Sequence, residues 1–166
     1  DIHIECPPGR EKVRIRFRGT GGHGALPHLA VDPVVAAAAT VVALQSVVAR
    51  NIDPFEPAVV TVGELHAGTM YNVIPETAEM ELSVRALNRE VRALLRRRIQ
   101  DVVAAQAASL GVSAEVDYQD GYPVLVNTPE ETAFAARVGT ELLGCAQVRI
   151  DPPAEMGSED FAFMLE

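Results

Sequence analysis

Tryptophan is absent from this 166-residue chain, and aromatic residues of all kinds make up only 5% of it. That argues against a platform of rings on which nucleic-acid bases stack. Positive charge is also in short supply: 14 Lys and Arg stand against 23 Asp and Glu, for a net charge of −9 and a pI near 4.9. Nucleic-acid recognition ordinarily needs a basic face, so no nucleic-acid partner is expected. Cysteine is scarce. Cys6 and Cys145 lie far apart in no metal-ligand spacing, which points to a reduced, cytoplasmic protein. The first residues are charged and polar and contain no apolar signal core. The uncharged run over residues 33–49 is short for a membrane span, rich in Ala, and interrupted by Thr40, Gln45 and Ser46. It reads as a buried helix, not a membrane anchor.

Glycine and hydrophobic residues are well supplied. Hydrophobic residues make up 48% of the chain, ample for a packed core, and the length suits one domain or a domain plus a piece of another. The segment Gly19-Thr-Gly-Gly-His-Gly-Ala-Leu-Pro-His28 gathers glycines, a proline and two histidines in ten residues. Such a turn holds an imidazole at a sheet edge with little bulk around it, because Gly22 and Gly24 flank His23. The alternative is a turn with two solvated histidines.

Residues 12–18 alternate: Val13, Ile15 and Phe17 on one face, Lys12, Arg14, Arg16 and Arg18 on the other. That is a half-buried strand. Asp32 and Pro33 open a helix running to about residue 50. It is apolar nearly all round, so a sheet is expected on one face and a partner subunit on the other, at Ala36 to Ala39. Residues 58–66 form a β-branched strand, 71–75 an extended connection, and 77–87 a second alternating strand with Ala78, Met80, Leu82 and Val84 inward. Asn88 caps a helix that ends at Gly111, and 113–118 is the last strand. The order βαββαβ predicts an α+β, ferredoxin-like domain: a four-stranded antiparallel sheet with two helices on one face. In that topology 58–66 is an edge strand, which suggests a two-fold homodimer with the sheet continuing across it.

After Gly121 the character changes. Thr128-Pro-Glu-Glu131 reads as a capping box, Phe134, Val138 and Leu142 form an apolar stripe, and 148–150 is too short to complete a sheet. A further helix starts near Gly157 as the chain ends. Residues 121–166 are therefore expected to be part of a second domain.

Several short segments recur in a familiar order: Gly21-Gly-His-Gly-Ala-Leu-Pro-His28, Val31-Asp-Pro-Val34, Val60-Thr-Val-Gly63, Ala67-Gly-Thr69, Asn72-Val-Ile-Pro75, Ser83-Val-Arg85 and Met156-Gly-Ser-Glu-Asp-Phe161. Together they resemble the M20 metallopeptidase family, in its amidohydrolase branch with hippurate hydrolase, N-acyl-amino-acid amidohydrolases and the indole-acetyl-amino-acid hydrolases. The resemblance covers residues 13–166. It implies that 13–120 are the lid, or dimerisation, domain, and that 121–166 return to an α/β zinc-peptidase-like catalytic domain. It implies a divalent metal (zinc, manganese or cobalt) in the intact enzyme, with ligands and general base outside this chain, so the chain alone is expected to be inactive. The substrate it implies is an N-acyl amino acid or small peptide.

Amide hydrolysis builds negative charge on the carbonyl oxygen, and a histidine donor aimed there stabilises the transition state. By resemblance His23 is that donor, acting in the opposite subunit's site. Arg85 and Asn72 fit the family positions that hold the substrate carboxylate. Read from the residues alone, Arg85 pairs equally well with Glu79 or Glu81, and Asn72 equally well shapes a turn. Gly157 and Ser158 match the family's substrate-lining loop, with a helix cap by Ser158 as the alternative. His66 reads as structural, and Pro27 and His28 as shaping the turn. Two rival classes stay open: a non-catalytic ferredoxin-like small-molecule-binding or dimerisation module, and a self-contained metal site of His23 and His28.

Overall fold

The computed structural model describes residues 2–3, 9–149 and 160–164. Its centre is a four-stranded antiparallel sheet formed by β2 (Gly9–Arg18), β4 (Ala58–Ala67), β6 (Thr77–Ala86) and β7 (Ser113–Asp120), in the order β4-β6-β2-β7. Helices α1 (Pro33–Asn51) and α2 (Arg89–Ser109) pack on each other and on the sheet. Outside this unit are the two-residue strands β1 (Ile2–His3), β3 (Gly22–His23), β5 (Val73–Ile74) and β8 (Val148–Arg149), and helix α3 (Pro129–Leu143). The α+β architecture expected from the order of elements is the one observed.

Period-two alternation builds the core. Val13, Ile15 and Phe17 of β2 meet Ala78, Met80, Leu82 and Val84 of β6 on the helix side of the sheet, all at most 2% exposed. Leu95, Ile99 and Val103 of α2 recur every fourth residue and close over them. Caps set both helix starts. Asp32 accepts from the Val34 and Val35 amides, and Asn88 from those of Glu90 and Val91, which satisfies amides that have no partner within the helix.

Helix α1 buries Ala36, Ala37, Thr40, Leu44 and Val47. The Ala36–Ala39 surface expected to meet a partner is thus half consumed by the sheet: Ala36 and Ala37 are buried. The helix instead presents Val34, Val35, Ala38 and Val42 outward. Small residues favoured close approach to the sheet, and the valines were left outside. The helix is long and apolar enough to cross a membrane by length and composition; here it lies against the sheet.

Other expectations shift in detail. Strand β2 begins at Gly9, ahead of the alternation at 12–18. A bulge at Gly63 breaks the register of edge strand β4. Within the short segment expected at 148–150, Val148–Arg149 finds a partner, pairing in parallel with Ile2–His3; residue 150 lies outside the described residues. The Thr128 hydroxyl donates to the Glu131 carboxylate and makes no side-chain bond to a helix amide, so the bond from Thr128 that a capping box requires is replaced by a side-chain pair. In α3 it is Ala136 and Gly139 that are buried, while Phe134 and Leu142 of the stripe are exposed.

Candidate functional site

The loop after β2 packs backbone on backbone. The Gly19 amide donates to the Glu76 carbonyl at 2.9 Å, and Thr20 and Val31 exchange bonds of 3.0 and 3.3 Å. The Thr20 hydroxyl also accepts from the Val31 amide at 2.8 Å. Above this base, β3 and β5 form a short antiparallel ribbon in which His23 lies opposite Val73. The Gly24 amide donates to the Asn72 carbonyl at 2.8 Å. A Cβ on residue 24 would stand 2.9 Å from that oxygen, so the approach needs glycine.

This geometry presents the His23 ring. The side chain is exposed, and its Nδ1 accepts the Ala25 amide hydrogen at 3.1 Å. An Nδ1 that accepts carries no proton, so the neutral ring carries its hydrogen on Nε2. The result is a hydrogen-bond donor at the outer tip of the ring, held by the chain's own backbone.

The structure brings His23 and Asn72 onto one ribbon. Arg85 is elsewhere. In the ladder Arg18 pairs with Thr77, next to the ribbon, whereas Arg85 pairs with Arg10 at the other end of the sheet. The eight steps from residue 77 to residue 85 span about 26 Å. One substrate-sized molecule cannot touch Arg85 and His23 of the same chain. The Arg85 end is also where the chain leaves the sheet, since the Arg10 amide donates to the Tyr122 carbonyl at 3.0 Å.

The alternative partners of Arg85 are engaged by other cations. Glu79 takes Arg16 at 2.7 Å, and Glu81 takes both Lys12 and Arg14 at 2.6 Å. Hydrogen bonds from Lys12 and Arg14 hold the Glu81 carboxyl below the usual carboxylate range. Arg85 Nε reaches Ser83 Oγ at 3.4 Å. His66 is exposed and contacts Glu64 at 3.3 Å. His28 is exposed in a short 3₁₀ turn, Pro27–Leu29. Gly157 and Ser158 lie outside the described residues. A hollow of about 440 Å³ lies between Val126, Thr128 and Glu131 at the start of α3 and Phe161. Among the described residues no three His, Cys, Asp or Glu side chains come close enough to hold a metal ion. Among the described residues the His23–His28 alternative lacks a third ligand.

A buried charged pair was missed by the sequence reading. Glu11 is 3% exposed and takes Arg92 Nε on Oε1 at 2.6 Å. Its Oε2 and the nearby Tyr118 hydroxyl are buried with no hydrogen-bond partner among the described residues. Burial pushes the Glu11 carboxyl up despite Arg92, and burial beside Glu11 pushes the Tyr118 phenol up. The signal was present: Glu11 continues the inward parity of Val13, Ile15 and Phe17.

Comparison with known proteins bears on this arrangement. The model of the peptidase dimerisation domain of the M20 family matches residues 9–110. The chain belongs to the M20 dimerisation-domain family. Over 163 residues the domain and its flanks are 42% identical to an N-acetyldiaminopimelate deacetylase of Streptococcus suis, covering 95% of this chain and 42% of that protein. A hippurate hydrolase of Campylobacter jejuni is 39% identical over 156 residues, with coverage of 94% and 41%. A crystal structure of a dinuclear metal-binding M20 peptidase from Bacillus subtilis superposes with a TM-score of 0.71 at 26% identity, over 98% of this chain and 39% of that one. These relatives are amidohydrolases and peptidases. The M20 chain described here spans about two fifths of the length of the curated relatives it matches.

Proposed function

We propose that this chain is the dimerisation domain (13–120) and part of the catalytic domain (121–166) of a metal-dependent amidohydrolase that cleaves N-acyl amino acids or small peptides. The intact enzyme forms a homodimer through strand β4 and the outer face of α1. Two things support that pairing. Among the described residues strand β4 is an unpaired sheet edge, and Val34, Val35 and Val42 stand exposed on α1. The divalent metal (zinc, manganese or cobalt) supplies the electrophilic chemistry, with ligands outside this chain.

The observation that carries the reading is the His23 ring, exposed and held through Nδ1 by the Ala25 amide. Its Nε2–H donates to the amide oxygen as negative charge develops there, a contact stronger in the transition state than in the ground state. Asn72, on the same ribbon, contacts the same bound substrate. Because His23 lies at the end of the sheet away from Tyr122, it serves the catalytic domain of the partner subunit. Arg85, at the near end, binds the substrate carboxylate in its own subunit's site. Each site thus draws on both chains. Gly157 and Ser158 line its substrate end.

The test is His23→Ala in the intact enzyme. The expected result is a fall in kcat of roughly 10²–10³-fold with little change in KM, and unchanged metal content and dimer. Mixing these subunits with subunits lacking a metal ligand should recover part of the activity. Loss of metal in His23→Ala would overturn the donor role. Absence of complementation, with subunit exchange demonstrated, would put the histidine in its own subunit's site.

A further inference from the structure

Beside the His23–Asn72 ribbon is a hollow of about 210 Å³, lined by Gly68, Thr69, Met70, Val73, Pro75 and Thr77. Val73 is the residue directly opposite His23 in the ribbon. Opposed residues on an antiparallel pair project to the same face with their Cβ atoms about 4.5–5.5 Å apart, so the hollow begins next to the imidazole. Val73 is 50% exposed and Met70 61% exposed. The Val73 amide donates to the Met70 carbonyl at 3.4 Å, which folds the two side chains into one turn. No wall residue carries a charge.

We propose that this hollow receives the acyl group of the substrate and sets the acyl size the enzyme prefers. The inference rests on the reading of His23 as donor to the substrate carbonyl. With that oxygen at Nε2, the carbonyl carbon carries the acyl substituent on one side and the amide nitrogen, leading to the amino acid, on the other, so one of these two groups faces the hollow. The amino-acid side of the substrate carries a carboxylate and needs a cation, which this hollow does not have. An uncharged recess with Met, Val and Pro in its wall suits an apolar group. Its size suits a ring: an apolar cavity of about 150 Å³ is enough to hold benzene. An aryl or branched alkyl acyl group fills it, and an acetyl group leaves most of it empty. Met70 suits such a wall because its unbranched thioether adapts to rings and chains. Val73 and Met70 are thus specificity-determining residues. The hydrolysis itself is unchanged: the amide C–N bond breaks, water supplies hydroxyl to the acyl carbon, and a proton goes to the amine.

The experiment uses the intact dimeric enzyme with N-acetyl, N-hexanoyl and N-benzoyl conjugates of one amino acid, and reads the ratio of kcat/KM between them. Val73→Phe fills the hollow and Met70→Ala removes part of its wall. Each should lower the benzoyl-to-acetyl ratio by roughly 10-fold or more, the scale on which apolar pockets discriminate. Both side chains are exposed, so fold and dimer should survive, as circular dichroism and sedimentation would report. Ratios unchanged within about 2-fold in both variants would overturn the proposal. His23→Ala separates the two readings. If it lowers turnover of all three conjugates alike while the ratios in the Val73 and Met70 variants stay fixed, the donor role stands and the acyl hollow falls. If it leaves turnover intact, the donor role falls, and the ratios still report on the hollow.

Discussion

Replacing Arg92 with alanine isolates a buried carboxylate. In the native chain Glu11 is 3% exposed, and among the described residues its one ion pair is the 2.6 Å bond to Arg92 Nε. At about 4 Å between charge centres and an effective dielectric near 20, the pair attracts by about 4 kcal/mol. Removing the cation leaves an uncompensated buried charge, for which about 3–5 kcal/mol is the usual loss. The loss should depend on pH, and the sign follows from the raised Glu11 pKa. A carboxyl whose folded value lies above its unfolded value binds its proton more tightly when folded. Its contribution to stability is therefore full below the unfolded value, near 4.5, and declines as pH rises through the folded one. Without Arg92 the folded value climbs further, so Arg92→Ala should be costly at pH 8 and much less so near pH 5. Urea unfolding at both pH values reads this directly. Glu11→Gln, which removes the charge, should relieve most of the Arg92→Ala penalty in the double variant. An equal penalty at the two pH values, or one below about 1 kcal/mol at pH 8, would refute the account of a desolvated pair.

In the intact enzyme Arg85→Ala should weaken N-acyl amino acids by about 1.5–3 kcal/mol, the worth of a charged hydrogen bond, and spare N-acyl amines that lack the carboxylate; equal losses on both would remove Arg85 from substrate recognition. Val42, 73% exposed on α1, should tolerate Glu in the folded subunit within about 0.5 kcal/mol. The same substitution should shift sedimentation at micromolar concentration from dimer to monomer, and a persistent dimer would move the interface off this helix.

Strands β2 and β6 were legible in the chain because each keeps a period of two, so Val13 to Phe17 and Ala78 to Val84 declare the buried face; β4 was legible as a β-branched run, and its bulge at Gly63 was not. The helix starts were legible because Asp32 and Asn88 are short polar acceptors at the head of apolar runs. The orientation of α1 was not, since a run of Ala and Val offers no polar contrast to mark the face that turns to the sheet. The ribbon holding His23 to Val73 was also hidden. It is made by backbone hydrogen bonds between two loops far apart in sequence, and no side-chain pattern records such bonds. Without it, 71–75 reads as a plain connection, and neither the Ala25 amide on His23 nor the Val73 hollow can be inferred. Glu11 was passed over for a different reason: its inward parity is plain, but a charge at an inward position is informative only once Arg92 is seen above it.

Strands β2 and β7 carry the chain into and out of the sheet side by side. Glu11 pairs with Asp120, and residue 121 passes so close to the Arg10 carbonyl that a Cβ there would stand 2.2 Å from the oxygen. A folded unit with its two ends in contact occupies no more of its host's backbone than a tight turn does. It can be inserted into a surface loop, or cut out and the gap rejoined, without pulling the flanking segments apart. Such a unit behaves as a cassette. Exchanging it between relatives would carry the His23 ribbon and the β4 edge together, as one piece.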